Sequence, residues 1–166
     1  MKTKQSTILL AVAAVTILNF ISCKKYDDGP AFSLMSKKGR LTGEWEVVKI
    51  NGQNPEEYFS SSNYGFYGSN YPTIVTASNV DLVWEFEDDG DFSQSISGTI
   101  NVSYYGYSTS VPLNNNYSGE WDWESNKEKI EIEINGTSED FEIKKLTNTE
   151  LTVEDQSGVE YEFEKD

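Results

Sequence analysis

From Lys129 to Ile134 the chain reads Lys-Ile-Glu-Ile-Glu-Ile, which sets Ile130, Ile132 and Ile134 on one face of an extended segment and Glu131 and Glu133 on the other. A period of two is what a strand with one buried and one solvated face requires. Asn135-Gly136 follows at once, a dipeptide that accepts the positive φ angles of a tight hairpin. Phe141 and Ile143 then alternate with Glu142 and Lys144, a turn through Asn148 leads to Leu151 and Val153, and Gln156-Ser157-Gly158 leads to Val159, Tyr161 and Phe163 between glutamates. Consecutive strands joined by short loops predict an antiparallel meander.

The N-terminal half predicts four more strands. Gly43-Glu44-Trp45-Glu46-Val47 opens the first, and Leu82, Trp84 and Phe86 line one face of the second. Asp88-Asp89-Gly90 turns that strand into a third, which starts at Phe92 and runs brokenly to Tyr107; the fourth spans Tyr117 to Glu124 with Trp121 and Trp123 on one face. Strands in hairpin order, each with an apolar and a charged face, favour closure into an all-β, eight-stranded antiparallel up-and-down barrel, because closure removes the exposed edges. A two-sheet sandwich is the alternative. Trp45, Trp84, Trp121 and Trp123 all share the inward parity, and with Phe86, Phe92, Phe141 and Phe163 they are expected to leave little empty space inside.

Tyrosine is unevenly placed. Tyr58, Tyr64, Tyr67 and Tyr71 fall in one Ser/Asn/Gly-rich insertion between Asn51 and Asn79, and Tyr104, Tyr105, Tyr107 and Tyr117 fall in or beside a second such stretch. Tyrosine with Ser, Gly and Asn makes adaptable recognition surfaces, since its ring offers a large amphipathic contact at small entropic cost. An insertion of that length points to a functional or mobile loop. The alternative is that these rings cap the open end of the barrel.

The N-terminus has a different character. Lys2 and Lys4 precede an apolar run from Ile8 to Ile21, and Ser22 and Cys23 follow. This is the layout of an export signal, too short to be read as a spanning helix. Phe20-Ile21-Ser22-Cys23 resembles the lipobox of bacterial lipoproteins, and Cys23 is the only cysteine. The resemblance implies residues 1–22 as a cleaved signal peptide and acylated Cys23 as the membrane contact. Residues 23–40, with Gly29, Pro30 and several serines, read as the lipidated end and a flexible tether, and 41–166 as the barrel domain. Lys24 is not the aspartate that resembles an inner-membrane retention signal, so the outer membrane is the expected address. Asp27-Asp28 resembles the surface-export signals of Bacteroidetes lipoproteins; periplasmic and surface faces both stay open.

Composition removes several function classes. There is no histidine, so His-based acid–base chemistry, Ser-His-Asp and Cys-His nucleophiles and zinc sites with nitrogen or sulfur ligands are not expected. The formal net charge of −15 repels phosphate backbones, which argues against nucleic acid as a partner. Glu87, Asp88, Asp89 and Asp91 crowd one turn but lack the spacing of a calcium loop, so a plain turn is expected and no metal site. No phosphate-cradling loop and no cofactor motif is present. Carboxylates at outward parity read as a solvated face, which leaves no catalytic residue to name, although a pair formed in space would permit a hydrolase.

Leu41-Thr42-Gly43-Glu44-Trp45, Phe86-Glu87-Asp88-Asp89-Gly90-Asp91-Phe92, Gly119-Glu120-Trp121 and Ile143-Lys144-Lys145-Leu146-Thr147 occur in the order seen in the lipocalin-like lipoproteins of Bacteroidetes, which this chain resembles from Leu41 to Asp166. The resemblance implies a barrel of ligand-carrier type, with Lys165 set against Trp45 as true lipocalins set a basic residue near the last strand against the Gly-x-Trp tryptophan. The expected function is a non-catalytic, lipid-anchored binding module for a small apolar or glycan ligand. The expected contacts are Trp45, Trp84, Trp121 and Trp123 at the barrel mouth and Tyr64, Tyr67, Tyr71, Tyr104, Tyr105 and Tyr107 on the loops. The alternative is an envelope protein with a filled barrel that acts through a protein partner.

Overall fold

The computed structural model describes residues 35–60, 74–104 and 107–165, the side chain of Tyr104 excepted. Cys23, Tyr64, Tyr67, Tyr71 and Tyr105 lie outside the described residues. Eight strands follow one another as β1 Gly43–Ile50, β2 Ile74–Phe86, β3 Asp91–Tyr104, β4 Tyr107–Glu124, β5 Lys129–Ile134, β6 Thr137–Leu146, β7 Glu150–Glu154 and β8 Glu160–Glu164. Each pairs antiparallel with the next, and β8 returns to β1, so the sheet is a closed up-and-down barrel. The barrel expected from the alternation is the one found; the sandwich is not.

The alternation decides what is inside. Leu82, Trp84 and Phe86 of β2, Ile130 and Ile132 of β5, Phe141 and Ile143 of β6, and Leu151 and Val153 of β7 are all buried, while the glutamates between the isoleucines face outward. Full burial of such a side chain contributes roughly 1.5–3 kcal/mol. The turns use the residues their geometry needs. Asn135 and Gly136 both have positive φ, 53° and 75°, as a two-residue hairpin requires. Asp88-Asp89-Gly90 forms the plain turn expected, closed by Glu87 N–H donating to Asp91 O at 2.9 Å.

One end of the barrel is closed. Helix α1, Lys37–Leu41, starts at an N-cap Ser36 whose hydroxyl accepts from Gly39 N–H, and it buries Arg40 and Leu41 against the barrel floor. The helix straddles the position where tether and domain were divided, so residues 37–40 pack with the barrel. Trp45 Nε1 donates to Leu41 O at 2.6 Å, and the Lys165 ammonium sits 5.0 Å from the centre of the Trp45 ring and donates to Thr42 O. This is the Trp–basic pairing that the resemblance implied. Gly43 makes it possible: its φ is +119°, and a Cβ there would lie 2.6 Å from Lys165 Nζ.

Two elements differ from expectation. Ile74–Asn79, read as the end of an insertion, is already strand, and β4 begins at Tyr107 rather than Tyr117. β3 is continuous, and β3 and β4 pair without a register shift from Asp91↔Glu120 to Tyr104↔Tyr107. The second tyrosine-rich stretch is therefore a long hairpin. β1 pairs with β2 only from Val83 to Phe86, and β5 pairs with β4 only from Glu120 to Glu124. The far ends of β2, β3 and β4 thus project past the barrel as a three-stranded sheet. Helix α2, Pro55–Ser60, lies along the outer edge of this sheet, where Ser60 Oγ accepts from Ala77 N–H at 2.7 Å and Glu56 Oε1 from Val80 N–H at 3.2 Å.

Candidate ligand-binding site

The interior parity of β2, β3, β5, β6 and β8 carries apolar groups through the middle of the barrel and polar ones at the end opposite α1. On β6 the inward positions run Ile143, Phe141, Glu139, Thr137; on β8 they run Phe163, Tyr161; on β3, Phe92 is followed by Gln94. Between them lies an open cavity of about 240 Å³. Trp84, Phe92, Ile132 and Phe141 form its walls, and Gln94, Glu139 and Tyr161 its polar groups.

Trp84 organises the walls. Its ring meets Phe141 edge to face at 5.2 Å and Phe92 at 5.6 Å, and lies 4.9 Å from Phe163 and 5.6 Å from Tyr161. Aromatic pairs of this kind contribute about 0.5–1.5 kcal/mol each beyond area burial, so the hub is rigid. Trp84 Nε1 is buried without a hydrogen-bond partner among the described residues. At the rim, partial burial raises the pKa of Glu139, with the Asp155 carboxylate adding to the effect. Burial likewise raises the Tyr161 phenol, with contributions from Asp155, Tyr58 and Glu139. Glu139, Tyr161 and Asp155 therefore share one small region of negative potential, and among the described residues no lysine or arginine lines the cavity.

The expected contact residues separate. Trp84 lines the cavity, whereas Trp45 is fully buried at the closed end with Lys165. Trp121 belongs to the core and Trp123 packs against it; the two rings touch at 5.6 Å and line a second concavity of about 490 Å³ with Lys38 and several carboxylates. Trp121 Nε1 donates to Glu87 O at 3.0 Å, and Lys38 and Lys127 lie 5.9 and 5.8 Å from the Trp121 and Trp123 ring centres. Tyr107 stands at the tip of the projecting sheet, 81 % exposed, opposite the backbone of Tyr104.

Glu139 and Tyr161 are the site residues the sequence reading passed over. The signal was present: Glu139 shares the period of Phe141 and Ile143, so it is an inward carboxylate among many outward ones. A second group was not foreseeable from sequence. Glu124, Glu131 and Asp140 come from three neighbouring strands, and their carboxylate oxygens lie within 4.8 Å of one another on the outer face. Nothing else at that position points to an ion.

No family model matches the chain, and no curated protein matches it. Among solved structures it is similar to a lipocalin-like protein from Bacteroides uniformis, with 16% identity and a TM-score of 0.44 over 77% of this chain and 100% of that one. No helix among the described residues is long and apolar enough to cross a membrane.

Proposed function

We propose that the chain is a non-catalytic binding module of the cell envelope, held at the outer membrane by acylated Cys23, whose barrel takes one small and mainly apolar ligand at its open end. The observation that carries this reading is the cavity beside Trp84, apolar in its walls and polar at its rim, as small-molecule sites are. At about 240 Å³ it falls just below the ~300–1,000 Å³ of drug-sized ligand pockets. That favours a short apolar ligand, or one end of a longer one, over an oligosaccharide. Glu139 at the rim and the negative charge of the whole chain disfavour a carboxylate head, so the ligand's exposed end is neutral or cationic.

Supporting the anchor is the single cysteine, separated from the apolar run only by Ser22, with α1 beginning fourteen residues later at Lys37. Two or three acyl chains at about 0.8 kcal/mol per buried methylene would hold the protein firmly. Mass spectrometry of the membrane-extracted protein tests both halves of the proposal. The expected result is an acyl mass that Cys23→Ala removes, together with a co-purifying small molecule that Trp84→Phe weakens. Protein recovered without acyl mass, or with no bound molecule under native conditions, would overturn the corresponding half.

A further inference from the structure

The outer reach of the projecting sheet carries no Asp, Glu, Lys or Arg. From Tyr58 to Val80 and from Phe92 to Gly119 there is no Asp, Glu, Lys or Arg, in a chain whose residues are 25% charged and whose net charge is −15. Along β4 the first ionised side chain after Asn114 is Glu120, six residues or about 20 Å on at ~3.4 Å per residue. That distance is well beyond the ~8 Å over which charges act in physiological salt, and of the edge residues only Ser118, about 7 Å from Glu120 along the strand, comes within it.

The sheet also has one finished and one unfinished edge. On the β2 side, Ser60 and Glu56 of α2 accept outward backbone N–H groups. On the β4 side nothing among the described residues pairs from Tyr107 to Ser118, because β5 meets β4 only from Glu120 onward. Trp121 N–H donates to Gly90 O, toward β3, and the register is unbroken, so the even-numbered residues of β4 direct their N–H groups outward. Ser108, Ser110, Asn114, Asn116 and Ser118 therefore carry donors along an open edge. Pro112 falls on the same parity, where a proline removes no bond to β3. Tyr107 and Val111, beside this edge, are 81% and 51% exposed.

We infer that the open edge of β4 between Tyr107 and Ser118 pairs with the same edge of a second copy of this chain, joining two projecting sheets into one. A second copy is the fitting occupant because of charge. Two acidic barrels repel wherever their surfaces meet, and the uncharged edge is where their backbones approach with the carboxylates held apart. An oppositely charged partner would find nothing here to select it. The pairing is symmetric and uses up the one edge left open among the described residues, while α2 bonds to the other, so assembly stops at a dimer. Pro112 interrupts the ladder, which makes the association reversible.

Sedimentation equilibrium of the whole chain tests this, alongside two variants with the same change in charge. Ser110→Lys with Asn116→Lys places cations on both facing edges; Ser138→Lys with Thr149→Lys places them on the exposed barrel surface. Expected is a concentration-dependent dimer for the parent and the barrel variant, and at least a tenfold weaker dimer for the edge variant, with its circular dichroism and melting unchanged. Amide exchange at Ser108, Ser110, Asn114 and Asn116 should slow as concentration rises. A parent that stays monomeric at its highest soluble concentration overturns the inference. So does a dimer that survives the edge lysines, or one formed without added protection of these amides.

Discussion

The barrel and the sheet that grows out of it are made from the same strands on opposite plans. Within the barrel, ionised side chains alternate with buried aromatic and aliphatic ones, as in β5, where Glu131 and Glu133 separate three isoleucines. Beyond it, β2, β3 and β4 carry Ser, Thr and Asn with Val and Ile, and their order comes from cross-strand contacts such as Ser110 Oγ to Asn101 Oδ1 at 2.6 Å and Ser103 to Ser108 at 2.8 Å. Burial holds the first region. Ladder bonds and side-chain pairs of about 0.2–1 kcal/mol each hold the second. Stability is therefore concentrated around Trp84, while the projecting sheet is free to act as a surface.

The largest test of that contrast is Trp84→Ala, which removes the hub of the aromatic core. A loss of about 3–5 kcal/mol in urea unfolding is expected. Val111→Ala in the sheet should change stability by no more than ~0.5 kcal/mol, and comparable losses at the two sites would break the contrast. Gly43→Ala comes next. Its positive φ and the clash with Lys165 Nζ should cost about 1–3 kcal/mol and lift the ammonium from the Trp45 ring. A neutral result would show that the closed end does not depend on that packing.

Glu139→Gln should have a smaller effect, confined to pH dependence. A carboxyl whose pKa is raised in the folded state favours folding while protonated, and that contribution is lost as pH rises from 4.5 through the raised value. The parent should therefore lose stability over that interval, and the glutamine variant should lose less. The difference should stay well under ~1 kcal/mol because the group is largely solvated. Identical pH profiles for parent and variant would remove Glu139 from the rim's electrostatics. The smallest effect concerns dynamics: at low concentration the amides of Ser108 to Asn116 should exchange faster than those of Ile130 and Ile132, which open only with the barrel.

The two regions were unequally legible in the sequence for the same physical reason. Strands with a glutamate between every pair of apolar residues declare their faces, so β5 to β8 and the inward parity of all four tryptophans could be read directly. In Tyr107–Asn116 the polar residues are uncharged and β-tolerant on both faces, so no period stands out and a strand read as an insertion. The absence of charge was itself readable, as a property of a long stretch rather than of a motif. Glu139 was hidden by company, a carboxylate at inward parity in a chain with 28 acidic residues. Which tryptophan meets the cavity depends on how far along each strand the ring sits, and that register exists only in three dimensions.

The central claim is that the open end of the barrel binds a small ligand beside Trp84 and selects against anions. Tryptophan fluorescence during titration with a medium-chain alcohol and with the carboxylate of the same chain length tests it directly. The account predicts a saturable change with the alcohol, a much weaker one with the carboxylate at neutral pH, and loss of the alcohol response in Trp84→Phe. Equal affinity for both ligands would contradict the selection, and no saturable change with either would contradict the binding site itself.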